Sequence, residues 1–222
     1  MGIISVENTD RLFWLGRYSE RVYTTIRLFA ASYDQMIDID FNNFQDFCKK
    51  LDIPNIYRSK RDFIEKYSFD EFNPNSIYAN LMRAYDNAVV LREEIGSETL
   101  SYIQLAVYEI QKAKESSSPL IELQKVMDNI LAFWGIADDS IDAQHVRNII
   151  KIGKRVERLD LYGRLHMDRK EIIRETRRLT DRIARTGLTY DAETLKELND
   201  IVQEEKMDYY NVVQKVDSLV KI

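Results

Sequence analysis

Leu12-Phe13-Trp14-Leu15-Gly16-Arg17-Tyr18-Ser19-Glu20-Arg21-Val22 sets apolar or small residues at 12, 15, 19 and 22, the alternating steps of three and four that mark one face of a helix. The register continues through Ile26, Phe29, Tyr33 and Met36, predicting a helix from near Asn8 or Thr9 to about Asp38. Within it Gly16 to Arg21 reads Gly, base, two free positions, Glu, Arg. The same pattern returns 137 positions later as Gly153-Lys154-Arg155-Val156-Glu157-Arg158, and each copy is followed at equal distance by Arg-Leu, at Arg27-Leu28 and Arg164-Leu165. The apolar stripe transfers too, since Ile149, Ile152, Val156 and Leu159 stand where Leu12, Leu15, Ser19 and Val22 stand.

At about 100° per residue, Gly16, Glu20, Tyr23 and Arg27 share an edge beside that stripe, and Gly153, Glu157, Asp160 and Arg164 share the equivalent edge. Two helices so alike can pack about a local pseudo-twofold axis. Each glycine then lets a neighbouring backbone or a ligand approach, at a helix-propensity cost of about 1 kcal/mol. A carboxylate drawn in from solvent must be paired, and an arginine fork satisfies both of its oxygens. One reading is an inter-helix clasp, Glu20 meeting Arg158 or Arg164 and Glu157 meeting Arg21 or Arg27. The other places the Glu-Arg pairs around a cleft for a polar or anionic ligand, with Glu20 or Glu157 as acid or base. Gly16, Arg17, Glu20, Arg21, Arg27, Gly153, Glu157, Arg158 and Arg164 are the candidate centre under both readings.

Along the rest of the chain, residues 41–72 read as short helices broken near Pro54 and rich in Phe41, Phe44, Phe47, Tyr57, Phe63, Tyr67, Phe69 and Phe72, either a cap over a bundle end or an exposed partner surface. Asn73-Pro74 is expected to cap and begin a helix to about Ile95. Gly96 should stop it and Ser97 cap the next, to about Glu115, before Ser118-Pro119 repeats the cap-then-proline pattern. Helices over about 119–135, 139–166, 168–186 and 191–220 complete an all-α, up-and-down bundle of about seven to nine helices in a single domain, 1–222.

With 7 Gly and 3 Pro against 31% charged and 45% hydrophobic residues, the composition favours long helices over a many-stranded sheet. A lone Cys48 excludes an internal disulfide, and Glu7 and Asp10 precede any apolar run resembling a signal segment, so a reducing, cytoplasmic setting is expected. No stretch approaches the roughly 20 apolar residues of a membrane span. The net charge of −5 hides a basic region, 147–185, with 13 Lys/Arg against 6 Asp/Glu. It reads as a solvated face with pairs such as Glu171 to Arg174 and Glu175 to Arg178, or as an anion-binding row of Arg174, Arg178, Arg182 and Arg185. No nucleic-acid motif accompanies that row and aromatics for base stacking are scarce, which counts against RNA or DNA.

Asp138-Asp139-Ser140-Ile141-Asp142 has the spacing of a magnesium-diphosphate helix, but acidic residues are also expected at a helix start, and no second aspartate cluster follows. Asp142 and His145 fall short of the paired Glu-x-x-His that a di-iron bundle needs. With His145, His166 and Cys48 alone, no zinc site or nucleophile-base pair can be assembled, so no metal and no cofactor are expected. A Gly-rich phosphate loop is missing, so any ATP chemistry would belong to a partner.

Asp10-Arg11-Leu12-Phe13-Trp14-Leu15-Gly16-Arg17-Tyr18-Ser19-Glu20-Arg21, then Asn73-Pro74-Asn75-Ser76-Ile77 with Arg83, Asn87, Arg92 and Ser97-Glu98, then Gly153 to Arg158, together resemble the alpha-E family, a bacterial all-helical domain named for its Glu-Arg motif. The middle segment departs from the family's Ala-Arg-Glu-Asn-Ala-Arg, reading Arg83-Ala84-Tyr85-Asp86-Asn87-Ala88-Val89-Val90. The resemblance implies an accessory role beside ATP-grasp peptide-ligase-like proteins and transglutaminase-like cysteine proteases in a peptide-synthesis or modification system. It supplies no catalytic residues.

Overall fold

The computed structural model describes residues 4–38 and 43–221. Phe41 lies outside them, as do the side chains of Phe29, Tyr33 and Met36. The described residues form eleven helices and no strand, with one isolated antiparallel bridge between Tyr190 and Val220. They fall into two compact units, Met1–Arg17 with Ala143–Ile222, and Tyr18–Asp142.

The first unit takes the start of α1 (Val6–Asp38) together with α8 (Gln144–Arg164), α9 (Arg169–Ile183), α10 (Ala192–Gln203) and α11 (Tyr209–Leu219). Helix α8 packs on α9 and α11, and α10 packs on the same two, which closes a ring of four helices. Its core is filled by Ile149, Ile152, Val156, Leu159, Ile172, Leu179, Leu198, Val212 and Val216, with Leu12 and Leu15 of α1 also buried. Three aspartates start these helices: Asp168 accepts from the Lys170 amide, Asp191 from Thr194, and Asp208 from Tyr210 and Asn211. Ties between neighbours set the register, Arg182 to Asn148 and Arg155 to Glu175 showing α8 and α9 antiparallel.

The second unit holds the remainder of α1 and α2 (Asn43–Leu51), α3 (Lys60–Phe69), α4 (Ile77–Val90), α5 (Arg92–Ile95), α6 (Ser97–Glu115) and α7 (Pro119–Ser140). Helices α6 and α7 form an antiparallel hairpin across Ser116–Ser118, and α4 packs along α6. The aromatic run is core: Phe44, Phe47, Tyr57, Phe63, Tyr67 and Phe69 are buried, and the Phe63 ring contacts four others with centroids 4.9–5.8 Å away. The Tyr57 hydroxyl accepts a 3.0 Å bond from Asn73 Nδ2. Phe72 is exposed and stands apart from this cluster.

Several helix boundaries differ from those read in the sequence. Asn73 does not cap a helix, because its Oδ1 accepts from the Asn75 amide in a local turn; Ser76 caps instead, accepting from Ala79, and α4 begins three residues after Pro74. Gly96, at φ +80°, both ends α5 and precedes α6, while the Ser97 hydroxyl accepts from Arg92 Nε. The stretches 74–95 and 191–220 each divide, the first at Leu91, the second at Glu204–Asp208, where the Asp208 carboxylate starts a new helix. These two divisions raise the helix count to eleven. Asp138 and Asp139 lie in the last turn of α7, where the helix dipole disfavours them, and not at the start of a following helix.

Candidate functional site

In the first unit the two motif copies meet through their glycines. A Cβ on Gly16 would sit 2.1 Å from the Ile150 carbonyl oxygen and 3.0 Å from the Lys154 nitrogen. A Cβ on Gly153 would sit 2.0 Å from the Phe13 carbonyl oxygen and 3.1 Å from the Arg17 nitrogen. Each glycine therefore faces the residue three before the other and the residue one after it, so the contact is reciprocal, as a pseudo-twofold requires. At this distance the helices touch backbone to backbone, and Cα–H groups of one lie against carbonyls of the other.

Beside the crossing, Arg17 Nε donates to Glu157 Oε2 at 2.7 Å. Glu157 is fully buried and Arg17 nearly so, its guanidinium 4.9 Å above the Trp14 ring. The base directly after the glycine thus reaches Glu157, a partner that the sequence spacing did not single out. Asp160, one turn on, is also buried and accepts from Arg164 Nε at 2.8 Å; Arg164 reaches Asp217 of α11 at 3.6 Å. In the second unit Glu20 is fully buried and accepts from the Thr24 hydroxyl at 2.7 Å, and the Arg27 guanidinium lies 5.7 Å from the Tyr23 ring. Arg21 is half-buried on the same helix. The polar edge expected beside the core stripe is therefore within the core at Gly16, Glu20, Gly153, Glu157 and Asp160.

Burial pushes Asp160 up to about 6, with the Glu157 charge adding to it and Arg164 opposing. The folded chain consequently holds this proton more tightly than the unfolded chain, whose aspartate titrates near 3.8. Stability drawn from Asp160 is full below 3.8 and falls as pH rises to 6, by about 3 kcal/mol at 1.36 kcal/mol per unit. The stability of Asp160→Asn relative to the parent chain should rise by that amount across this window, read by urea unfolding at a series of pH values; a flat difference would refute the assignment.

A second buried carboxylate gathers the basic region. Glu175 on α9 is 0% exposed and accepts from Arg155 of α8 at Oε2 and from Arg178 at Oε1, the latter at 2.9 Å. Arg174 and Arg158 approach the same Oε1 at 3.5 and 3.7 Å. Burial would raise this carboxyl, but the Arg155, Arg158 and Arg178 charges win and hold it below its ordinary value. The expected row divides: Arg174 and Arg178 converge on Glu175, Arg182 donates to Asn148 Oδ1, and Arg185 is exposed beyond the end of α9. Sequence spacing makes Glu175 a surface i,i+3 partner of Arg178 and gives Arg155 no role, whereas the structure buries Glu175 and joins it to both. The signal for both was present: Glu175 sits in the apolar stripe Ile172, Thr176, Leu179, Ile183, where a charge needs a buried partner.

Other sites carry less. A groove in the second unit is lined by Ser59, Lys60, Arg61, Ile64, Lys66, Phe69 and Lys114, and no motif residue lines it. Cys48 is buried, which raises its thiol to about 11 and keeps it from acting as a thiolate near neutral pH. Among the described residues no group of three or more His, Cys, Asp or Glu is placed to hold a metal ion, and no helix is long and apolar enough to cross a membrane.

No curated protein and no solved structure matches the chain. A family model does, over residues 8–201, a span that takes in both glycine-to-arginine motifs, and its description is a predicted alpha-helical domain with a conserved ER motif. The Glu20-Arg21 and Glu157-Arg158 pairs whose carboxylates are buried here are ER dipeptides of that kind, and the chain belongs to the Alpha-E family.

Proposed function

We propose that this protein is a non-catalytic accessory of a peptide-synthesis or modification system, working beside an ATP-grasp ligase-like enzyme and a transglutaminase-like cysteine protease in the cytoplasm, with its Glu-Arg motif serving as a structural clasp. The observation that supports the clasp is the reciprocal glycine contact. The space opened by each missing side chain is filled by the other helix's backbone carbonyl, which leaves no room there for a ligand, and Glu157 spends its charge on Arg17. A motif devoted to holding helices together supports a scaffold more than an acid or base.

The partner half of the proposal is tested by purifying the tagged full chain from its own cells and quantifying co-purifying proteins by mass spectrometry. Recovery of an ATP-grasp protein in near-stoichiometric amount is expected. Recovery of the chain alone with a bound small molecule would overturn the accessory reading in favour of an independent binding protein or enzyme.

A further inference from the structure

Helix α3 gives one side to the core and leaves the other open. Phe63 and Tyr67 carry its inner face into the aromatic cluster, where both are buried. Arg61 and Glu65 fall on the opposite face and are exposed, and Ile64, between the two faces, is half-buried. A groove of about 1060 Å³ runs along that outer side. Its far wall is made by Lys114, in the last turn of α6, and Pro119, the first residue of α7, on either side of the Ser116–Ser118 turn. All of these residues belong to the second unit.

The lining combines an apolar wall, Ile64, Phe69 and Pro119, with two cations from different helices, Arg61 and Lys114. Both cations are exposed, and neither side chain makes an ion pair or hydrogen bond among the described residues. Lys66 differs, because it is already paired with Asp62 at 2.8 Å. Two carboxylates, Glu65 and Asp70, also line the groove, and Asp70 accepts from the Phe72 amide at 2.9 Å. Just past that bond Phe72 is 85% exposed, and the bond from Asn73 to Tyr57 joins to it the loop carrying Ile56, 54% exposed. Apolar surface therefore continues beyond the end of the groove.

We propose that this groove docks a short acidic peptide segment of a partner protein, its carboxylates meeting Arg61 and Lys114 and its apolar side chains lying on Ile64, Phe69 and Pro119. A peptide suits the site on three counts. The volume lies at the top of the roughly 300–1,000 Å³ that small molecules fill, and the apolar surface runs on to Phe72, so an extended occupant uses more of it than a compact one. Apolar contacts supply affinity and the flanking charges supply register and orientation, the division of labour found in peptide and protein recognition. A nucleic acid suits the site less: Phe69 is the one aromatic residue lining the groove and is only 5% exposed, leaving no open ring for a base, and Glu65 and Asp70 would repel an unbroken row of phosphates. The proposal does not rest on the accessory role.

The test is a screen of the labelled full chain against a bead library of random octapeptides, followed by fluorescence-anisotropy titration of the best peptide. Selected peptides should interleave Asp or Glu with Leu, Ile or Phe. The parent chain is then compared with Arg61→Gln/Lys114→Gln, with Ile64→Ser, and with the control Lys170→Gln/Lys206→Gln. The four substituted cations are exposed, so both double variants should fold, as thermal melting will verify, and they change net charge equally. Binding should weaken by about tenfold in the first variant and about fivefold in Ile64→Ser, and stay within about twofold of the parent in the control. No selected peptide, a basic or purely polar consensus, or equal weakening in the two double variants would overturn the proposal. So would binding to vesicles of phosphatidylglycerol and phosphatidylcholine that Arg61→Gln/Lys114→Gln abolishes, which would assign the surface to a membrane.

Discussion

Gly153→Ala is expected to destabilise the chain by about 3 kcal/mol, several times what replacing a helical glycine by alanine normally changes and opposite in sign. Alanine is the better helix former by about 1 kcal/mol, so the substitution should stabilise wherever there is room. At Gly153 the new methyl would lie 2.0 Å from the Phe13 carbonyl oxygen, an atom that cannot swing aside because it belongs to the backbone of α1. The helices must separate by about an ångström, losing packing along Leu12, Leu15, Ile149 and Ile152. Overpacking of this kind costs about 1–3 kcal/mol and occasionally more. Gly16→Ala meets the Ile150 carbonyl at 2.1 Å and should cost a similar amount. Gly135 in α7 is the internal control: a Cβ there meets nothing within 4 Å, so Gly135→Ala should stabilise by about 0.5–1 kcal/mol. Urea unfolding of the three variants decides the matter, and a stabilised Gly153→Ala would mean the helices are not in backbone contact.

The second large effect is at Glu175. Glu175→Gln keeps the shape of the side chain but removes the charge that Arg155, Arg158, Arg174 and Arg178 surround, and with it the carboxylate to which the poorly solvated Arg155 guanidinium is bound. Breaking a buried pair by deleting one partner costs about 3–5 kcal/mol, and a loss of about 4 kcal/mol is expected by urea unfolding. Glu171→Gln, which removes a carboxylate from the same arginine cluster at the surface, should cost less than about 0.5 kcal/mol. Because the Glu175 carboxyl is held below its ordinary 4.5, its contribution is present above that pH and is lost as pH falls through the lower folded value. The acid limb of the stability profile should therefore flatten in Glu175→Gln. Equal small losses in the two variants would show that Glu175 is solvated.

Both expectations rest on features of unequal legibility in the sequence. The core stripes were plain, because Leu12, Leu15, Val22, Ile149, Ile152, Val156 and Leu159 follow the helical period, and all are buried. The helix breaks at Leu91 and at Glu204–Asp208 were not, because the apolar period runs across the first, the stripe resumes in register at Tyr209 after the second, and neither holds a glycine or proline. Asp208 ends up as a cap through its bonds to two amides, a choice that local sequence leaves balanced against continuation. At the motif, glycine recurrence announced a close approach, but not how deep the carboxylates would lie. Angular position on an ideal helix placed Glu157 at the margin of the stripe, whereas helices in backbone contact at Gly16 and Gly153 bury a residue that a wider spacing would leave at the edge. The choice of Arg17 as a partner of Glu157 follows from the same crossing, which brings the residue after Gly16 against the opposite helix.

The central claim is that the repeated Glu-Arg motif holds helices together, and a double-mutant cycle between Arg17 and Glu157 tests it most directly. Arg17→Gln, Glu157→Gln and the double variant should be unfolded in urea beside the parent chain. If the pair is a buried lock, each single variant loses several kcal/mol, and the double variant loses much less than their sum, with a coupling energy of about 2–3 kcal/mol. A coupling below about 0.5 kcal/mol, with Glu157→Gln as stable as the parent, would contradict the clasp and return the motif to the role of a binding site.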